Sequence, residues 1–335
     1  MPSHHPKKPP ERKERPRPQP APEGSTKILV LVGPTASGKT GLGIELAERL
    51  GGEIVSADSQ QVFRELDLGT AKPTPEERAR VPHHLVDFAD PTKLLSAGEF
   101  ARLADEAIDG IRARRRLPIV VGGTGLWVRS LLLGIVEAPA VDLALRRSLE
   151  ARAAKEGRQA MHAELARIDP ESAASIPPQN QVFVLRALEL FAQTGEKPSV
   201  LRARHAFSRL RYDATVLGLT PPRDELYRRI DLRARQMFER GLVDEVRRLV
   251  AQGRRAAAET KALGYPQALS VVDGRCTVEE AIAQTAQQTR HYAKRQLTWF
   301  RADPLVEWLD WPVEVRALAE RLARLGLRSE SQLTT

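Results

Sequence analysis

The segment Gly33-Pro34-Thr35-Ala36-Ser37-Gly38-Lys39-Thr40 constrains this chain more than any other. It follows the apolar run Ile28-Leu29-Val30-Leu31-Val32 and precedes a helix-like stretch, Leu42 to Leu50. A β-branched run, then Gly-x-x-x-x-Gly-Lys-Thr, then a helix reads as strand, phosphate loop and helix. Backbone N–H groups of such a loop point inward. With the helix N-terminus and the Lys39 ammonium they form a cradle for a di- or triphosphate. Thr40 stands where its hydroxyl can bind Mg²⁺. The motif seats phosphate groups and leaves open what happens to them.

The pattern around the loop predicts a phosphate-loop NTPase-like α/β fold, a parallel sheet flanked by helices, with an all-helical insertion domain. Lys27 to Val32 reads as the first strand, and Gly51-Gly52 breaks the helix after the loop. Glu53 to Ala57 reads as a second strand, ending in Asp58-Ser59-Gln60-Gln61. Polar residues at the carboxyl end of such a strand are where ligands bind. A helix is expected from Ser96 to Arg115, and Leu117 to Val121 as a third strand ending in Gly122-Gly123-Thr124-Gly125. Over residues 137–199 helical patterns take over (Leu143 to Glu156, Arg158 to Ile168, Val182 to Thr194), which marks the insertion. Tyr212 to Leu219 returns to strand character, followed by helices at Arg223 to Arg240, Leu242 to Gln252, Pro266 to Val272 and Glu279 to Arg301. The α/β core is therefore expected over 26–136 and 200–310, with a C-terminal helix and tail over 311–335.

Composition narrows the class. A chain of 335 residues with 41% hydrophobic and 28% charged residues is that of a soluble globular protein. There is no apolar stretch long enough to span a bilayer and no apolar core of a secretory signal. Cys276 is the single cysteine, so an intrachain disulfide and a cysteine-based metal site are excluded. A cytoplasmic monomer without a membrane partner is expected. Residues 201–301 carry a net charge of +9, equal to that of the whole chain. A positive field over one folded region favours a polyanion, nucleic acid first, although an Arg-rich solvated surface would look the same. Pro2 to Ser25 is rich in Pro, Lys and Arg and is expected to be disordered.

One customary part is missing. Phosphate-loop ATPases and GTPases place an acid at the end of a buried strand to hold Mg²⁺. Here Ile119-Val120-Val121 ends in glycine, and Asp58 is the acid at an obvious strand end. That leaves Asp58 available for proton chemistry; the alternative is that it caps a helix. Arg229 and Arg233 lie four apart on one expected helix and share a face, as do Arg290, Lys294 and Arg301 on another. The latter face could follow RNA phosphates. A phosphate-loop nucleoside or small-molecule kinase remains the alternative at this point.

The ordered series Gly33 to Thr40, Asp58-Ser59-Gln60-Gln61-Val62-Phe63, Leu68-Gly69-Thr70-Ala71-Lys72-Pro73, Pro82 to Asp87, Gly122 to Leu126, Arg186-Ala187-Leu188-Glu189 and Thr289 to Arg301 resembles the tRNA dimethylallyltransferases, also called tRNA isopentenyltransferases, of the bacterial type. The resemblance covers roughly residues 27–301. It implies transfer of a five-carbon prenyl group from dimethylallyl diphosphate to N6 of the adenosine 3′ of the anticodon. The tRNAs concerned read codons beginning with U, and diphosphate is released. The loop Gly33 to Thr40 then holds the donor's diphosphate, Thr40 the Mg²⁺, and Asp58 acts as general base. The resemblance further implies a diphosphate-contacting arginine, Arg233 with Arg229 beside it, and roles for Thr35 and Thr124 in seating the substrates. For the tRNA anticodon stem-loop it points to Asp58, Ser59, Gln60, Gln61, Thr124, Arg146, Gln179 and Phe183, beside Arg290 and Lys294. The chain also departs from the family. Pro177 to Phe183 stands in place of a usual His-Pro-Asn-Asp, Phe183 occupies the position of an arginine, and Trp127 and Phe63 replace tyrosines.

Overall fold

The structure, a computed structural model, describes residues 16–93, 95–135, 139, 142–205 and 208–329. Among these, no helix is long and apolar enough to cross a membrane. The residues form two compact units, 1–134 with 209–335, and 135–208.

The larger unit begins with β1 (Lys27–Val32), α1 (Lys39–Leu50), β2 (Gly52–Ser56), α2 (Pro75–Arg80), β3 (His83–His84), α3 (Ala97–Ala113), β4 (Leu117–Gly122) and α4 (Gly125–Leu133). The chain then builds the smaller unit from α5 (Leu143–Glu156), α6 (Arg158–Ile168), α7 (Pro170–Ser175), α8 (Gln181–Thr194) and α9 (Pro198–His205). It returns to the larger unit through β5 (Asp213–Gly218), α10 (Arg223–Glu239), α11 (Leu242–Ala251), α12 (Arg255–Ala258), α13 (Tyr265–Val272), α14 (Val278–Arg301), β6 (Val306–Trp308) and α15 (Val315–Arg324).

All strands are parallel, in the order β3-β2-β4-β1-β5-β6. The central strand β1 pairs Val30 with Val120 on one side and with Val216 on the other. Its residues Ile28 to Val32 are fully buried, as a strand covered by helices on both faces requires. One core cluster joins Leu29 and Leu31 of β1 to Leu42, Ile44 and Leu46 of α1 and to Leu318, Ala319 and Leu322 of α15. The expected C-terminal helix is therefore part of the α/β core. Within the smaller unit, Leu149, Met161, Leu165, Val184 and Leu188 make a separate core. Its last helix is α9, which extends beyond the expected limit at residue 199.

Two expectations need adjustment. The basic tail over residues 1–15 lies outside the described residues. Within residues 16–25, Gln19 bridges to Arg209, and its carbonyl accepts the Leu210 N–H at 3.0 Å. The short helix α2 was not expected, although Thr74 caps it and Glu77 returns the bond to the Thr74 N–H.

Candidate active site

The carboxyl ends of β1, β2 and β4 deliver three turns to one edge of the sheet. After β1 comes the phosphate loop. Gly33 takes φ 154° and Gly38 φ 93°, and Ala36 also has positive φ at 62°. A Cβ at Gly33 would stand 2.2 Å from the Leu219 carbonyl oxygen, so only glycine lets the loop pass the end of β5. Gly38 caps α1 through its backbone alone, and the first turn of α1 has no acidic residue. That N-terminus, with its partial positive charge, is open to an anion. Lys39 Nζ donates to the Pro34 carbonyl at 3.1 Å, which curls the ammonium over the loop.

Asp58 follows β2. No helix starts there, so the helix-cap reading of Asp58 fails. Instead Oδ1 accepts the Gln60 N–H at 3.0 Å in a tight turn. After β4, Thr124 Oγ1 accepts the Ser59 N–H at 3.0 Å, tying the β4 turn to the β2 turn. Gly122 makes this possible, because a Cβ there would meet the Ala57 carbonyl oxygen at 2.1 Å.

Two cavities meet at Asp58. One, of about 50 Å³, is lined by Lys39, Thr40, Ser56 and Asp58 on the phosphate-loop side. The other, of about 300 Å³, runs from Asp58 and Ser59 past Ala234, Met237 and Tyr292. Thr35, Asp58, Thr70 and Arg233 line both. A third and larger opening of about 900 Å³ exposes Gly38 and Thr40 beside Arg229 and Arg233. Burial lowers the Lys39 ammonium to about pH 8; the Asp58 charge opposes this shift and Arg233 adds to it. Burial likewise pulls the Arg233 guanidinium below its usual range, against the charge of Asp58. The Tyr292 phenol is pushed well above its usual range by burial and by the charge of Asp58. Two cations and one carboxylate thus share a half-buried site, where each acts on the charge of the others.

Across the same edge, the family model described as IPP transferase matches residues 61–303, and one described as isopentenyl transferase matches residues 26–86. A tRNA dimethylallyltransferase of Myxococcus xanthus is 56% identical over 86% of this chain and 93% of its own length. The chain belongs to the IPP transferase family. Among solved structures, the tRNA isopentenylpyrophosphate transferase of Bacillus halodurans is 42% identical over 89% of this chain and 96% of its own, with a TM-score of 0.63. A eukaryotic dimethylallyltransferase described as acting on tRNA is 26% identical over 91% of this chain and 80% of its own, with a TM-score of 0.76. Membership in this family removes the kinase alternative.

The other expected site residues fall in both units of the chain. Arg229 lies close to Gly38, but its Nε donates to Glu225 at 2.6 Å and its guanidinium lies 4.7 Å over the Trp311 ring. Of the two candidate arginines, Arg229 and Arg233, only Arg233 lines both cavities at Asp58. Gln61 lines the smaller cavity and its Nε2 donates to the Ala71 carbonyl at 3.1 Å; Gln60 lines the larger one. Arg290 does not stand free for phosphates. It is ion-paired to Asp231 and lies 6.0 Å over the Tyr227 ring. Lys294 is exposed. Trp299 packs against Gly125, where a Cβ would meet its ring at 2.2 Å. In the smaller unit, Arg146 Nη2 donates to the buried Glu189 at 2.6 Å, which gives Arg146 a structural role. Gln179 is exposed, and Phe183 is 63% exposed beside Val182 at 79%.

Sequence reasoning missed Gln296, Tyr292 and Glu245. Glu245, buried on α11, accepts N–H groups of Asp67 and Leu68 at 3.2 Å each and the Tyr265 hydroxyl. It thereby holds the loop that brings Thr70 to the cavities. The available signal was position within a family motif for Gln296 and Tyr292; Glu245 had none, since an acid in an amphipathic helix normally faces water.

Proposed function

We propose that the protein transfers the dimethylallyl group of dimethylallyl diphosphate to N6 of the adenosine 3′ of the anticodon, in tRNAs reading U-initial codons. Diphosphate is the second product. The observation that carries this reading is Asp58 at the junction of two cavities, one opening on the phosphate loop and the other wide enough for a base.

The reaction breaks the allylic C1–O bond and forms an N6–C1 bond. The bonding pair leaves with the diphosphate oxygen. Lys39, the amides of residues 33–40 and Arg233 supply fixed positive charge where that negative charge grows. The exocyclic adenine amine is a weak nucleophile because its lone pair is delocalised. The Asp58 carboxylate orients it by accepting its N–H, then takes the proton as the N–C bond forms. Thr124 holds Ser59 and with it the Asp58 turn. The base must leave its stack to reach Asp58, which costs less in a single-stranded loop.

The residues present fit a hard cation. Thr40 offers a hydroxyl oxygen on the wall of the cavity at the phosphate loop, a donor of the kind Mg²⁺ takes together with substrate phosphates. Thr40 would hold Mg²⁺, which when bound would neutralise charge on the leaving diphosphate.

The test is mass spectrometry of nucleosides from unmodified tRNA incubated with the protein, Mg²⁺ and dimethylallyl diphosphate. Prenylated adenosine that requires both donor and Asp58 is the expected product. Its absence, with intact protein and tRNA, would overturn the reading.

A further inference from the structure

The donor side and the acceptor side of the site sit on different turns, and one side chain from α14 fastens them together. Gln296 Oε1 accepts the Thr35 N–H at 2.8 Å, while its Nε2 donates to the Gly123 carbonyl at 2.9 Å. The residue is only 6% exposed. A Cβ at Gly123 would stand 2.2 Å from Nε2 and 3.3 Å from the Gly33 carbonyl oxygen. Glycine at this position therefore leaves room both for the amide and for the phosphate loop passing beside it. Tyr292, one turn earlier on α14, stands beside Gln296 and Thr124 and lines the larger cavity with Asp58. Thr124 in turn holds Ser59. A continuous polar path thus runs from Thr35 of the cradle, through Gln296, to the turn that carries Asp58.

A primary amide accepts an N–H through its oxygen and donates to a carbonyl through its nitrogen, at fixed spacing and without depending on pH. An ionised carboxylate could accept from Thr35 but would turn a second acceptor on the Gly123 carbonyl. The two partners also fix which way round the amide lies.

We infer that Gln296 is a positioning residue: it holds the diphosphate cradle in register with the Asp58–Ser59–Thr124 side, and so sets the gap between the allylic carbon and the acceptor amine. This rests on the proposed transfer reaction. Reacting atoms must approach to about 3–3.5 Å, and a misplacement of about 1 Å costs on the order of 10²-fold in rate. A purely structural role would instead cost stability and leave the turnover of the folded enzyme unchanged.

The experiment compares the full-length protein with its Gln296→Ala and Gln296→Glu variants, using dimethylallyl diphosphate and unmodified tRNA. In Gln296→Ala, kcat is expected to fall on the order of 10²-fold. Donor affinity should be nearly unchanged, because Lys39 and the loop amides remain. Gln296→Glu adds a signature that lost packing cannot produce. Its carboxyl group regains a donor when protonated, so its rate relative to the unmodified enzyme at the same pH should climb as pH falls. A kcat within about threefold of the unmodified enzyme in Gln296→Ala would overturn the inference, being far from the expected loss. So would a Gln296→Glu ratio that stays flat with pH, and that ratio decides alone if Gln296→Ala does not fold. The unmodified enzyme run in parallel tests the transfer reading itself. Should it prove inactive, amide hydrogen exchange over residues 33–40 still judges the strap: faster exchange in the variants supports it, and unchanged exchange overturns it.

Discussion

In the proposed reaction Asp58 is the base, and its substitution separates chemistry from binding. Asp58→Ala should abolish prenyl transfer while tRNA affinity by filter binding stays nearly the same, since in the proposed reaction this side chain would meet one base and no phosphate. Full activity in that variant would remove Asp58 as base. Lys39 permits a second separation. Its ammonium must be protonated to hold a diphosphate, and burial brings it to about pH 8 in the free protein. Donor affinity should therefore be highest below that pH and fall as pH rises through it, with the fall absent in Lys39→Met. A donor affinity flat from pH 7 to about pH 9.5 would argue that the ammonium does not meet the diphosphate. The place of these two residues at the sheet edge was legible in the sequence because each follows the end of an apolar strand. Gln296 was not, because a glutamine inside a long helix carries no periodic or charge signal. Its partners lie 261 and 173 residues away and become neighbours only in the folded sheet.

Helices α10 and α14 cover the site because Leu226, Ile230 and Ala293 pack with Ala36 and Leu297. Their 3.6-residue periodicity announced them in the sequence, as it did α1 and α3, and short apolar runs announced the strands β1, β2, β4 and β5. Elements too short to show a period were lost: β3 has two residues and β6 has three. Helix α2 was missed despite a local start signal, Thr74-Pro75-Glu76-Glu77, which satisfies both the capping box and the first-turn proline. The loop between β2 and α2 has no regular structure, yet it is held by buried polar ties that no local pattern foretells. Lys72, nearly fully buried, bonds Asp67 and Asp87 at 2.6 Å each. Glu245 anchors the same loop from α11. Glu245→Ala would strip the acceptor from two backbone N–H groups and the Tyr265 hydroxyl, at about 1 kcal/mol or more apiece. A loss of roughly 3 kcal/mol in urea unfolding is expected, with faster exchange of the amides in residues 65–70. A loss below about 1 kcal/mol would mean that water replaces the carboxylate readily.

The basic excess of residues 201–301 gave the first hint of a polyanion, but the sequence could not say which charges are spent internally. Arg229 goes to Glu225, Arg255 to Asp273 and Arg290 to Asp231. Lys261 and Arg295 instead line the large cavity, and Lys294 lies exposed beside Arg295 on α14. Of the charges that spacing on one helix selected, Lys294 and Arg301 stay exposed while Arg290 is paired to Asp231, and Lys261 and Arg295 join them as charges that could meet RNA phosphates. The smaller unit adds an uncharged feature, Phe183, whose exposure means that Phe183→Ala should change stability by no more than about 0.5 kcal/mol. Any loss of tRNA affinity in that variant would then be an effect on RNA contact. For the cations the measurement is the salt dependence of tRNA binding. Each phosphate contact contributes about 0.7–0.9 to the slope of log K against log salt concentration. Lys261→Gln with Lys294→Gln should flatten that slope by roughly 1.5. Arg290→Gln should leave it unchanged and remove less than about 1 kcal/mol of stability, the usual worth of a surface ion pair. The opposite result, a flattened slope for Arg290→Gln and none for the lysine pair, would place the RNA against the outer face of α10. It would show that the Arg290–Asp231 pair opens when tRNA arrives.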